Sequence, residues 1–132
     1  MTQIPKILIV DDEEHTRKVL NEYLSNRISC EIIEASNGYE AIEKLQKDTI
    51  DLILLDITMP GISGTEVIAK AKDIAKNAAI IVITKWDSAE VSSKIKESGA
   101  DYIPKPFSLK VVRAKVEEKL KAAGKWNVKQ VS

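Results

Sequence analysis

Three aspartates, a threonine and a lysine stand out because each closes or follows a short apolar run. Asp11 and Asp12 come after KILIV at 6–10, and Asp56 after LILL at 52–55. Thr84 comes after AIIVI at 79–83, and Lys105, just ahead of Pro106, after a shorter run around Tyr102 and Ile103. A charge at the edge of a core is costly unless something pairs with it. Clustered carboxylates repel one another, and a hard divalent cation relieves the repulsion. Mg2+ suits such a group, since it takes one or two carboxylates and keeps several waters for other ligands. The expected answer to the charge on Asp56 is therefore a metal beside it and Lys105 facing it.

Taken singly, each residue has an ordinary structural role. Asp12 could cap a helix, Asp56 could precede the turn at Pro60 and Gly61, Thr84 could end a strand, and Lys105 could be solvated. The joint arrangement carries the argument: five polar groups, each behind an apolar run, gather on one edge only if the runs are parallel strands.

The pattern between the runs supports that. Each of the five runs, with EIIEA at 31–35 as the second, leads toward a segment of helical spacing. The first helix carries Val19, Leu20, Tyr23 and Leu24 on one face; the second carries Ala41, Ile42 and Leu45 behind an Asn37/Glu40 capping pattern. The third carries Val67, Ile68 and Ala71 behind Ser63 and Glu66. The last has Ser108 as N-cap and Leu109, Val112, Val116 and Leu120 on one side. Strands alternating with helices predict an α/β domain: a five-stranded parallel sheet, doubly wound as (βα)5. One helix differs. Asp87 to Ser98 offers only Ala89, Val91 and Ile95 as anchors, and an element that buries little is held weakly.

Composition bounds the rest. With 132 residues and a 44% hydrophobic fraction, one domain with a packed core is expected. Twenty basic residues balance twenty acidic ones, so no overall nucleic-acid footprint exists. From Lys110 to Ser132, however, seven basic residues face two acidic ones. That excess is a solvated helix face or a partner surface. The one cysteine, Cys30, excludes an internal disulfide and fits a reducing compartment. No apolar run approaches membrane-helix length and no signal peptide is visible, so a cytoplasmic setting is expected. His15, the one histidine, reads as a surface residue. Nucleophile elbow, Walker loop, GxGxxG and Cys/His metal spacings are all missing.

The pair Asp11-Asp12 after KILIV, the stretch LLDITMPGISG, Thr84 after IIVI, and YIPKPF together resemble a response-regulator receiver domain. The similarity covers roughly residues 5 to 122, with 123–132 left as a C-terminal tail or the start of a linker. The resemblance implies a flavodoxin-like fold with strand order 2-1-3-4-5, and that Asp56 accepts a phosphoryl group from a sensor histidine kinase or phosphotransfer protein. Asp11, Asp12 and Asp56 would hold Mg2+, with the backbone carbonyl of Thr58 as a further ligand. Thr84 and Lys105 would bind the phosphoryl oxygens, Tyr102 would be the switch aromatic that turns inward, and the Lys105–Pro106 bond would be cis. The output face would be the fourth helix, fifth strand and fifth helix. It would act on an output protein or an effector domain, with the chain a monomer or a phosphorylation-dependent dimer. No enzymatic turnover, direct nucleic-acid binding or membrane association is implied.

Three features depart from the family pattern. Lys85 follows Thr84 where the family usually has a small residue, and Trp86 comes next; with Thr58, they are expected to set the phosphoryl lifetime, which Lys85 and Trp86 would lengthen. GADYIPKPF is also one residue shorter between Gly99 and Tyr102 than in many members, which bears on the reach of Tyr102. Two rival readings remain. Haloacid-dehalogenase-type phosphatases also place an aspartate after an apolar strand, but their second acid would fall at Thr58 and their metal-binding acids come late. The other rival is a receiver used only for docking and never phosphorylated.

Overall fold

A computed structural model describes residues 4–57, 64–85 and 89–125. Five strands alternate with five helices: β1 (Lys6–Val10), α1 (Glu14–Ser25), β2 (Glu31–Ala35), α2 (Gly38–Lys47), β3 (Leu52–Leu55), α3 (Gly64–Ile74), β4 (Ala79–Thr84), α4 (Ala89–Glu97), β5 (Asp101–Pro104) and α5 (Leu109–Ala122). The strands form one sheet, all-parallel as the alternation predicts and in the order β2-β1-β3-β4-β5 that the family resemblance implies.

The three inner strands are apolar almost throughout because both their faces are covered. Successive side chains point to opposite faces, and the two cores separate by that rule. Leu8, Val10, Ile53, Leu55, Ile80 and Val82 pack with Ala41 and Leu45 of α2, Val67, Ile68 and Ala71 of α3, and Ile95 of α4. Ile7, Ile9, Leu52, Leu54, Ile81 and Ile83 pack with Leu20 and Leu24 of α1 and Val112, Val116 and Leu120 of α5. Burying each such side chain contributes roughly 1.5–3 kcal/mol, so the sheet interior dominates stability. β2 lies at the edge, and its Ile32, Ile33 and Glu34 are only half-buried.

The helix starts agree with the local sequence. Asn37 Oδ1 accepts the Glu40 backbone N–H at 2.8 Å, and Ser108 Oγ accepts that of Val111 at 3.4 Å. Asp12 does not cap α1. The N-cap is Glu13, whose N–H donates to Asp11 Oδ1 at 2.9 Å. Ser63, the expected cap of α3, lies outside the described residues. His15 is exposed, as expected, and Cys30, just ahead of the edge strand β2, is half-buried.

α5 ends at Ala122, and Gly124 at φ 71° turns the chain so that the Lys125 N–H donates to Leu120 O at 2.8 Å. The Lys125 ammonium then pairs with Asp51 at the start of β3. The first residues of the expected tail are thus held against the lower edge of the sheet. No helix among the described residues is long and apolar enough to cross a membrane.

Candidate functional site at the carboxyl edge of the sheet

Parallel register fixes where the polar residues emerge. Val10 pairs with Ala35 and Leu55, Leu55 with Val82, and Thr84 with Pro104. Every strand leaves the sheet at the same edge. The strand order reverses between β1 and β3, so Asp11 and Asp56 emerge at the topological switch point, where open α/β sheets bind ligands.

The structure brings the acidic residues together. Carboxylate oxygens of Asp11, Asp12 and Asp56 lie within 4.8 Å of one another. Asp11 and Asp56 are each 4% exposed, whereas Asp12 faces solvent. The Lys105 ammonium bridges the two buried acids, 3.0 Å from Asp56 Oδ2 and 3.2 Å from Asp11 Oδ2. The Lys105–Pro106 bond is cis, and the Lys105 N–H donates to Thr84 O at 2.8 Å, tying the end of β4 to the loop after β5. Thr84 is fully buried at the end of β4. Tyr102 is half-buried against the core of α2, α3 and α4, opposite Val82 in the register. Lys85 is exposed. Thr58 and Trp86 lie outside the described residues.

Electrostatics follow from this packing. Burial pushes the Asp11 carboxyl above its ordinary 3.8, against the opposing pull of the Glu13 N–H and the Lys105 charge. Lys105 shows the reverse balance. Burial disfavours its charge, but hydrogen bonds and charges from Asp56 and Asp11 together outweigh that and hold it above its ordinary 10.5. Three carboxylates and one ammonium leave two negative charges uncompensated in a partly buried cluster. Hard oxygen donors in that number, with that charge, fit a divalent cation of the Mg2+ kind. Asp11, Asp12 and Asp56 are the side chains that would hold it.

Sequence reasoning passed over the residues that brace Asp11. Arg17, on the first turns of α1, donates from Nη1 to the Asp11 carbonyl at 2.6 Å and from Nε to Glu34 Oε1 at 3.1 Å. Asn21 Nδ2 donates to Glu34 Oε2 at 3.0 Å. The available signal was Glu34 itself, a charge inside the apolar run EIIEA that requires a partner.

The response regulator receiver domain family matches residues 7–117. Sporulation initiation phosphotransferase F of Bacillus subtilis (strain 168) is 35% identical over 116 residues, covering 87% of this chain and 93% of that protein. A cyclic di-GMP phosphodiesterase of Thermotoga maritima is 36% identical over 116 residues, covering 87% of this chain; the matched part is 31% of that protein's length, so the chain spans about a third of it. Among solved structures, a CheY-like response regulator receiver domain protein from Methanospirillum hungatei JF-1 superposes with a TM-score of 0.86 at 30% identity, covering 93% of this chain and 98% of that one. A phosphatase of the haloacid-dehalogenase type is thereby set aside. The edge that gathers Asp11, Asp56 and Lys105 is the edge expected of a phosphoacceptor domain, and the chain belongs to the response regulator receiver domain family of two-component systems.

Proposed function

We propose that Asp56 accepts a phosphoryl group from a phosphohistidine on a sensor histidine kinase or phosphotransfer protein, and that the domain then signals through its α4-β5-α5 face. The observation that carries this reading is the position of Asp56: buried, within 4.8 Å of Asp11 and Asp12 across their carboxylate oxygens, and 3.0 Å from the Lys105 ammonium. In the transfer, the P–N bond to imidazole breaks, a P–O bond to an Asp56 carboxylate oxygen forms, and the imidazole leaves. Bound Mg2+ would supply positive charge to the nucleophile and the incoming phosphoryl oxygens. Asp11, Asp12 and Asp56 are its side-chain ligands in this reading, with the Thr58 carbonyl as a fourth.

Phosphorylation brings about −1.5 to −2 charges and new acceptor oxygens. The Lys105 ammonium is placed to offset that charge and would move from carboxylate to phosphoryl oxygen. The Thr84 hydroxyl would meet another oxygen, and Tyr102 would turn into the space behind it. The movable output face then runs from α4 through β5 to α5, which carries Lys110, Arg113, Lys115, Lys119 and Lys121; Lys110 and Lys121 are exposed, and Lys119 pairs with Asp101 at the start of β5. Lys85 and Trp86, directly after Thr84, together with Thr58, set the lifetime of the phosphoaspartate, Lys85 and Trp86 by screening it from water. The domain occupies 1–122, and the remaining residues are a tail or a linker toward an effector. The setting is cytoplasmic and the output partner is a protein.

Incubation with a small-molecule phosphodonor and Mg2+, followed by intact-mass measurement, tests the reading. One phosphoryl group should add to wild type and none to Asp56→Asn or to wild type in chelator. Unlabelled wild type would favour a domain used for docking alone, and continued turnover of a simple phosphate ester would favour a phosphatase.

A further inference from the structure

Asp11 is held at every polar atom. Its N–H donates to Ala35 O at 3.1 Å, which extends the β1–β2 ladder by one residue. Oδ1 accepts the Glu13 N–H at 2.9 Å, and Oδ2 contacts Lys105 Nζ at 3.2 Å. The remaining group is the backbone carbonyl. It precedes the N-cap of α1 and has no ladder partner, and Arg17 Nη1 fills that vacancy at 2.6 Å.

The guanidinium that does so is itself fixed. Its Nε donates to Glu34 Oε1 at 3.1 Å, and the second oxygen of that carboxylate takes Asn21 Nδ2 at 3.0 Å. The Arg17 side chain is 14% exposed and that of Glu34 31%. A planar guanidinium presents donors in a rigid fork, so gripping Nε fixes the direction of Nη1 as well. The carbonyl it reaches belongs to the peptide that joins Asp11 to Asp12. Rotating that peptide would swing the Asp12 carboxylate relative to the buried Asp11, and Asp12 is exposed, with its backbone as the main restraint on its place.

We propose that Arg17, locked by Glu34 and Asn21, is a positioning residue that orients the Asp11–Asp12 peptide so that both carboxylates converge for a divalent cation. This rests on the reading of Asp11 and Asp12 as Mg2+ ligands. Outer partners of metal ligands, when removed, typically weaken metal binding by about 10–100-fold. The bulk of the core is untouched by Arg17, so the effect on metal affinity separates from the effect on folding.

The test is a Mg2+ titration of the full chain by calorimetry, with no phosphodonor, on wild type, Arg17→Ala, Arg17→Lys, Glu34→Gln and Asp12→Asn. Expected is loss of binding in Asp12→Asn, about tenfold weaker binding in Arg17→Ala, and a smaller loss in Arg17→Lys, whose single ammonium cannot span both acceptors. With phosphodonor, the Mg2+ concentration giving half the maximal rate should rise in Arg17→Ala while the rate at saturating Mg2+ stays near wild type. Wild-type affinity in Arg17→Ala, with or without lower thermal stability, would overturn the positioning role and leave the metal site standing. Should wild type bind no Mg2+, or Asp12→Asn bind it normally, the underlying site reading falls instead. If Arg17→Ala does not fold, Glu34→Gln carries the test, since it keeps shape and releases the grip; a few-fold weaker Mg2+ binding supports the proposal and unchanged binding refutes it.

Discussion

The Lys105 ammonium lies 3.0 Å from Asp56 Oδ2 although 49 residues separate them in the chain, and a second contact, 3.2 Å to Asp11 Oδ2, makes it a bridge between two buried acids. Its side chain is 13% exposed, so these contacts are only lightly screened by water. Removing the cation leaves two buried carboxylates without compensation, which is costly.

That bridge gives stability a defined alkaline limit. Lys105 is held above its ordinary 10.5: burial works against its charge, and the Asp56 and Asp11 contacts outweigh burial. A lysine whose pKa is raised by folding contributes stability that is complete below the unfolded value and is lost as pH rises through the folded value. In metal-free buffer, the gap in unfolding free energy between wild type and Lys105→Met should be level from neutral pH to about pH 10 and shrink above it. Denaturant titrations across that range measure the gap; one that widens at high pH would contradict the bridge.

Asp12 should behave in the opposite sense. It is exposed and adds a third negative charge within 4.8 Å of the other two. Two unit charges at such a separation repel by about 1 kcal/mol even in bulk water. Asp12→Asn should therefore raise metal-free stability by about 0.5–1 kcal/mol, while saturating Mg2+ should stabilise wild type and leave the variant unchanged. Thermal unfolding in chelator and in excess Mg2+ measures both effects. A variant less stable than wild type in chelator would show that Asp12 is not strained by its neighbours.

The strands and the edge where the acids meet were readable because an inner parallel strand must be apolar on both faces, whereas the strand order came with the family resemblance. LILL and AIIVI therefore marked themselves, and register then dictated that Asp11, Asp56 and Lys105 emerge side by side. The clamp on Asp11 was not readable. Arg17 looks like any charged residue on an amphipathic helix, and its partner Glu34 lies on a strand whose distance from α1 depends on tertiary packing. Lys125 stayed hidden for the same reason: only the turn at Gly124 reveals that its ammonium reaches Asp51. The depth of burial of Asp11 and Asp56, 4% each, also depends on tertiary packing and has no local signature.

Lys85 bears on the lifetime of the phosphorylated state. It follows the fully buried Thr84 and is exposed, so its aliphatic stem can cover the rim of the site while its ammonium stays in water. On the proposed reading, Lys85→Ala and Trp86→Ala should each speed loss of the phosphoryl group by about two- to tenfold, as expected when partial exclusion of water worth ~0.5–1.4 kcal/mol is removed. Decay of the phosphorylated mass after removal of donor gives the rates. Equal lifetimes in all three proteins would dismiss any screening by these side chains.

The fourth helix sets the last prediction. Of the α4 side chains described, Ile95 is the one that is buried, whereas α5 buries Val112, Val116 and Leu120. A helix held by few buried apolar contacts opens locally at a lower free energy than the global one. Backbone amides of α4 should therefore exchange with solvent at least about tenfold faster than those of α5, a difference of ~1.4 kcal/mol in opening free energy. Ile95→Ala, which removes the anchor, should speed exchange throughout α4 and leave the middle of α5 close to wild type. Phosphorylation at Asp56 should change protection in α4 more than in α1, which is anchored by the buried Leu20 and Leu24. Hydrogen exchange read by mass spectrometry, with and without phosphodonor, resolves these segments. If α4 proves as protected as α5 and is indifferent to phosphorylation, the response must leave the domain by another element, and the proposed output face is wrong even though Asp56 accepts the group.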